Sequence, residues 1–251
     1  MIDMRRIKCT VQYDGTWYAG YQVQPNSKTI QGEIEKVLEK IHGKPIRISA
    51  SGRTDAGVHA IGQVFHFDTD TKFPVEKWLP IFNSQLPNDI VVIHVEEVAG
   101  SFHSRFGSIE KEYRYKVYRA PHKSPFLIHH AYHVPHSLSV QKMEEASRYL
   151  LGTHDFTSFC SAKTEVEDKV RTIFTISIEE EENMLTFSLV GNGFLYNMVR
   201  IIIGVLIEVG QGKRAPIEVK EILEAKDRRA GGKTAPAQGL YLYRVKYSND
   251  N

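Results

Sequence analysis

The order of elements read from this 251-residue sequence predicts an α+β protein built from two β-α-β-β-α-β halves. Three observations lead there. Alternating apolar runs end at turn residues, apolar stripes at helical spacing fall between them, and the same succession of elements occurs twice. The halves show no visible sequence identity, so the repeat is one of order. No low-complexity tract separates them, and the boundary is placed near residue 104, giving 1–104 and 105–251.

Arg6 to Tyr13 alternates and stops at Asp14-Gly15, a strand and a turn. Tyr18 to Pro25 is polar and aromatic without period, and reads as a loop. Thr29 suits the N-cap of a helix running to about His42, with Gly43 as its stop. Ile30, Ile34, Val37, Leu38 and Ile41 share one stripe, the mark of a helix lying on a sheet. Ile46 to Ile48 and Ile61 to Phe67 read as strands around a loop. Pro74 to Gln85 carries a second helical stripe, and Ile90 to Val95 is a third strand.

The second half opens on the strand Lys111 to Arg119, with Tyr113, Tyr115 and Val117 on one face. Residues 120–138 look like a long connection. A helix capped by Ser139 follows, closed by Gly152. Phe174 to Ile178 and Leu185 to Leu189 form a hairpin turning at 179–183. A helix is read from Phe194 to Val209; its stretch Phe194 to Ile207 is apolar nearly all round and reads as buried, too short and too interrupted by Asn197 and Arg200 to span a bilayer. A short helix over 217–225 and a closing strand from Gly239 to Tyr247 complete the half.

The net charge of +2 is unremarkable, so a nucleic-acid signal has to come from where charges sit. The opening residues show no apolar core of a signal peptide. Two cysteines, Cys9 and Cys160, make neither a disulfide framework nor a metal cluster, and a reducing cytoplasm is the expected compartment. The segment from His103 to Lys123 carries Arg105, Lys111, Arg114, Lys116, Arg119 and Lys123 against Glu110 and Glu112. Tyrosines interleave with these cations, as phosphate neutralisation and base stacking require. An exposed lysine-rich strand face would look the same. His129, His130, His133 and His136 have partly helical spacing, but Pro135 interrupts them and no carboxylate or cysteine lies among them, so no metal site is expected.

The chemistry-bearing stretch is Gly52-Arg53-Thr54-Asp55-Ala56-Gly57-Val58-His59-Ala60. Glycines bracket a segment with almost no apolar bulk, which reads as a sharply turned loop between strands. Asp55 is its only carboxylate and Arg53 its only fixed cation. On residues alone, a structural turn and a catalytic loop both fit. Arg200 sits among apolar neighbours and needs a carboxylate or several carbonyls, whether as a structural ion pair or as a partner for Asp55.

The nine residues 52–60 match without departure the active-site motif of the tRNA pseudouridine synthase A family. Phe194 to Gly204, Lys111-Glu-Tyr-Arg-Tyr115, Tyr13-Asp-Gly15 and Thr234-Ala-Pro-Ala-Gln-Gly-Leu240 resemble further motifs of that family. The resemblance implies two ferredoxin-like halves joined in one extended, mainly antiparallel sheet with a central cleft. It implies isomerisation of uridine to pseudouridine at positions 38–40 of the tRNA anticodon stem-loop, by a homodimer, with no cofactor. Asp55 would be the nucleophile, Arg200 its partner, Tyr113 the residue stacked on the base, and Arg53 the residue that fills the space left by the flipped nucleotide or holds its phosphate. Two other classes remain to be weighed: a non-catalytic RNA-binding protein using the same basic surface, and a metal-dependent hydrolase using the histidines.

Overall fold

Residues 4–164 and 166–248 are described by a computed structural model of the chain, which divides into two compact units. The first takes in the residues up to Ile109 and those from Tyr241 onward. The second is Glu110–Leu240.

The first unit begins with β1 (Arg5–Tyr13) and α1 (Ile30–His42). The Thr29 hydroxyl accepts from the Gly32 N–H at 3.2 Å, and Gly43 takes a left-handed φ of 65°, so the helix starts and stops where its caps dictate. β2 (Ser49–Ala50), β3 (His59–Thr69), α2 (Val75–Gln85) and β4 (Ile90–Val98) follow. β1 lies between β3 and β4, antiparallel to both, with Cys9 opposite Phe65 and Val95, while β2 pairs antiparallel with β3. This is the β-α-β-β-α-β order with its first strand at the centre. Phe65, Phe67, Trp78 and Phe82 interlock in the core, the Phe67 and Trp78 rings edge to face at 5.0 Å.

The strand expected at Ile46 to Ile48 starts later, at Ser49. The cause is Glu35 on α1, whose carboxylate accepts from the Ile48 N–H at 3.1 Å and pairs with Arg47 at 2.6 Å. That backbone group is taken before a ladder can use it.

The second unit carries most of β5 (Ser108–Tyr118), then β6 (Tyr132–His133), α3 (Val140–Ser147), β7 (Gly152–Asp155), β8 (Val170–Glu181), β9 (Met184–Gly191), α4 (Met198–Gly210) and α5 (Glu218–Ala225). β5, β9, β8 and β7 are neighbours in that order, each pair antiparallel. The connection after β5 is not structureless, because β6 pairs in parallel with Val117 and Tyr118. The hairpin turns at Glu182, with φ 48°, inside the expected 179–183. Glu179, Glu180 and Glu181 stay in the strand opposite Thr186, Leu185 and Met184, and Arg119 pairs with Glu180. α3 is shorter than its apolar pattern, tightening into a 3₁₀ turn over Arg148–Leu150. α4 starts at Met198, because Asn197 adopts a left-handed φ of 62° that no α-helix continues through.

The last strand, β10 (Leu240–Tyr247), reads in sequence as the end of the second half. It pairs in parallel with β3, Tyr241 opposite His59 and Leu242 opposite Ala60, and so belongs to the first unit. Among the described residues, no helix is long and apolar enough to cross a membrane.

Candidate active site

The loop between β2 and β3 contributes almost no packing of its own, so other elements hold it. Gln63 on β3 is fully buried. Its amide nitrogen donates to the Gly52 carbonyl at 2.8 Å, and its oxygen accepts from the Ser51 hydroxyl at 2.8 Å and the Val64 N–H at 3.1 Å. Thr54 is buried with its Oγ1 2.8 Å from the Tyr13 hydroxyl, and its carbonyl accepts from the Tyr21 N–H at 3.0 Å. Within the loop, the Val58 N–H donates to the Asp55 carbonyl at 3.1 Å, and Gly57 supplies the required φ of 76°. At the exit, the Gly15 N–H donates to Nδ1 of buried His59 at 3.1 Å, and the His59 ring stacks on Tyr241 at 4.7 Å.

The 15–21 segment presses against this loop. A Cβ on Gly15 would stand 2.0 Å from the Val58 carbonyl oxygen. One on Gly20, where φ is 107°, would stand 2.9 Å from that of Thr54. Two glycines of the Tyr-Asp-Gly region are therefore required by close backbone approach. The result is a loop whose backbone is fixed at both ends and in the middle. It leaves Asp55 half-buried and Arg53 exposed beside it.

The other predicted residues, Arg105 apart, lie in the second unit. Tyr113 and Tyr115 point into the buried face of β5, while Arg114 and Lys116 lie on the more open face. Tyr113 is 9% exposed and meets the Phe194 ring edge to face at 5.2 Å, so its own ring is held by a neighbour from the segment leading into α4. Arg200, half-buried in the first turn of α4, donates from Nε to the Ala235 carbonyl at 2.8 Å and from a terminal nitrogen to the Asn197 side-chain oxygen at 2.9 Å. Its own carbonyl accepts from the Ala235 N–H at 3.0 Å. The carbonyl and amide partners demanded by a guanidinium in apolar surroundings are thus present.

The 233–236 backbone runs along α4. A Cβ on Gly204 would fall 1.8 Å from the Lys233 carbonyl oxygen, and the Tyr115 hydroxyl donates to the Pro236 carbonyl at 2.8 Å. Burial pushes the Tyr115 hydroxyl pKa up, with the Arg200 charge working against that rise. Gly239 lies against the Tyr115 ring, 2.6 Å from where its Cβ would be.

The weaker contacts differ among themselves. Arg114 pairs with buried Glu112 at 2.8 Å, so part of its charge is used inside its own strand. Arg105 is exposed and sits over the Phe106 ring, 5.6 Å from its centroid. Lys111 and Lys116 are half-buried on β5.

Sequence reasoning did not single out Ser51, Tyr13, Gln63 or His59 as functional. A glutamine in the mainly apolar stretch 61–67, which also holds His66, was the available signal.

A family model described as tRNA pseudouridine synthase matches residues 10–107 and 146–248. The tRNA pseudouridine synthase A of Anoxybacillus flavithermus is 58% identical over 247 residues, covering 98% of this chain and 100% of that protein. The protein of the same name from Bacillus subtilis is 54% identical over 246 residues, covering 97% and 100%. A solved Cbf5-Nop10-Gar1 complex contains a chain that is 12% identical, covering 96% of this chain and 59% of that one with a TM-score of 0.37, a likeness too slight to carry an argument.

Proposed function

The chain belongs to the tRNA pseudouridine synthase A family, and from that premise we propose that it isomerises uridine to pseudouridine at positions 38–40 of the tRNA anticodon stem-loop. The bond between ribose C1′ and base N1 breaks, a bond from C1′ to C5 forms, the C5 proton leaves and N1 gains one. No redox change or group transfer occurs, so no cofactor is called for.

The observation that carries the reading is Asp55 itself, a half-buried carboxylate on a loop whose backbone is fixed on either side, with exposed Arg53 two residues before it. A nucleophile gains from such fixing, since misplacement by about 1 Å costs about a hundredfold in rate. Asp55 attacks C1′ or C6, or triggers elimination to a glycal. A paired uridine is out of reach in the stack and has to be everted. Arg53 then fills the gap or holds the displaced phosphate. Tyr113 stacks on the base and relays or accepts the C5 proton. Arg200 is the cation that keeps Asp55 ionised. Arg105, Lys111, Arg114 and Lys116 contact RNA phosphates. Recognition by shape and backbone suits a target base that varies, and a homodimer working in a reducing cytoplasm would grip one tRNA across both subunits.

The test is incubation with unmodified tRNA followed by mapping of pseudouridine. Asp55→Asn should keep tRNA binding and lose product. Arg200→Met should lower kcat and move the acid limb of the pH profile upward, because losing a nearby cation raises a carboxylate's pKa. Product from Asp55→Asn at the parent rate removes the assignment.

A further inference from the structure

Two buried tyrosines stand side by side in the first unit, Tyr13 and Tyr21, with ring centroids 6.2 Å apart. Their hydroxyls fare differently. That of Tyr13 shares a hydrogen bond with Thr54 Oγ1 at 2.8 Å, whereas that of Tyr21 has no partner among the described residues. A buried hydroxyl without a partner costs stability, so one that has a partner beside one that lacks it asks what the bond does.

The bond lies one residue before Asp55. Thr54 is tied at both of its polar ends, through Oγ1 to Tyr13 and through its carbonyl to the Tyr21 N–H. Behind it, Gln63 holds Ser51 and Gly52. Burial pushes the Tyr13 hydroxyl pKa well up, with Thr54 and Gln63 working against that rise, and the group stays a neutral phenol at working pH. Ser51, Gln63, Tyr13 and Thr54 are all less than a tenth exposed, and they form one polar cluster under the loop. Such a cluster specifies a unique arrangement when its members are satisfied.

We propose that Tyr13 is a positioning residue for the isomerisation: by bonding Thr54 it fixes the Thr54–Asp55 backbone step, and with it the place of the Asp55 carboxylate. This rests on the reading of Asp55 given above. Tyr13 touches no substrate; it acts through Thr54.

The experiment is steady-state kinetics on unmodified tRNA, with Asp55→Asn run alongside. Tyr13→Phe and Thr54→Val should each lower kcat about 10- to 100-fold and leave KM within about twofold. The double variant should be no worse than Tyr13→Phe alone, because that change already removes the Tyr13–Thr54 bond along with the Tyr13–Gln63 contact. Thr54→Ser keeps the hydroxyl and should stay within about threefold of the parent. Tyr21→Phe is the control and should leave kcat unchanged.

Tyr13→Phe with the parent's kcat overturns the proposal, as does a loss seen in KM alone, or an equal loss in Tyr21→Phe. Should Tyr13→Phe fail to fold, Thr54→Val decides by the same criteria. An inactive Asp55→Asn beside a fully active Tyr13→Phe sinks the positioning role only. An active Asp55→Asn sinks the reading beneath it as well.

Discussion

Around Asp55 the anchors include side chains, the hydroxyls of Tyr13, Thr54 and Ser51 and the amide of Gln63, beside the backbone of the 15–21 segment. Around Arg200 they are mainly backbone, the Ala235 carbonyl and amide and the 233–236 segment laid along α4. The physical reason lies in the neighbours. Buried residues crowd α4, and an extended backbone with free carbonyls is what can serve a guanidinium at its margin. The 51–57 loop has little apolar bulk, so it borrows polar groups from β1 and β3. A region fixed partly by side chains should respond to loss of single hydroxyls as well as to a forced Cβ. A region fixed by backbone should tolerate those and fail when a Cβ is forced between its parts.

The largest expected effects come from adding one methyl group to each region. Gly204→Ala places a Cβ 1.8 Å from the Lys233 carbonyl oxygen, where a backbone clash from buried Gly204 cannot be relieved cheaply. Overpacking of this kind costs about 3 kcal/mol, and the denaturant midpoint should fall accordingly. Gly15→Ala places a Cβ 2.0 Å from the Val58 carbonyl oxygen, against the loop itself. It should reduce product formation about a hundredfold while unfolding at a midpoint closer to the parent's than Gly204→Ala does. Equal stability losses with equal activities would erase the contrast.

That contrast also explains what the sequence could tell. Helices and strands were legible wherever a period ran uninterrupted, as in α1 with its Thr29 and Gly43 caps, or in the Tyr113, Tyr115 and Val117 face of β5. The first turn of α4 was not, because apolar residues from Phe194 onward mask the left-handed Asn197. Neither was the partner of β10. Its pairing with β3 joins residues far apart in the chain, and periodicity carries no register for a parallel contact of that kind. At the site, Asp55 and Arg53 were picked out by a motif. The groups that hold their loop had no role assigned: Tyr13 lay in a motif but reads as the last residue of an ordinary strand, and Gln63 reads as a polar interruption in one. Side-chain networks depend on three-dimensional proximity, which residue spacing does not encode.

An effect of similar size depends on pH. His66 on β3 is buried, and its Nδ1 accepts from the Ser104 N–H at 3.2 Å and meets the Ser104 hydroxyl at 2.9 Å. Burial lowers its pKa to about 4, with Arg6 and His103 adding to the effect and Asp68 opposing it. Folding therefore favours the neutral ring. Above about pH 6.5 the ring is neutral in both folded and unfolded chains, and the full stability is present. As pH falls from there towards 4 the unfolded chain takes up the proton first, and stability drops by as much as about 3 kcal/mol. Urea midpoints across that window should flatten in His66→Gln. An unchanged slope would show that other groups carry the acid sensitivity.

The smallest effect compares two helix caps. The Thr29 hydroxyl accepts from the Gly32 N–H at 3.2 Å at the head of α1, and the Ser139 hydroxyl accepts from the Lys142 N–H at 3.3 Å at the head of α3. Replacing either by alanine should cost about 1 kcal/mol. Their consequences for turnover should differ. The α1 start is tied by backbone to the segment that presses on the active loop, the Ile30 N–H donating to Gly20 O at 3.3 Å and the Gln31 N–H to Tyr21 O at 2.9 Å, and Tyr21 in turn donates to Thr54 O. Ser139 instead donates its N–H to Gly210 O at the far end of α4. Thr29→Ala should therefore lower kcat by a small factor, about two- to threefold, at a temperature where both variants are fully folded, and Ser139→Ala should leave it at the parent value. Equal kcat in the two would mean that the start of α1 does not communicate with the loop, and that the loop's side-chain anchors act alone.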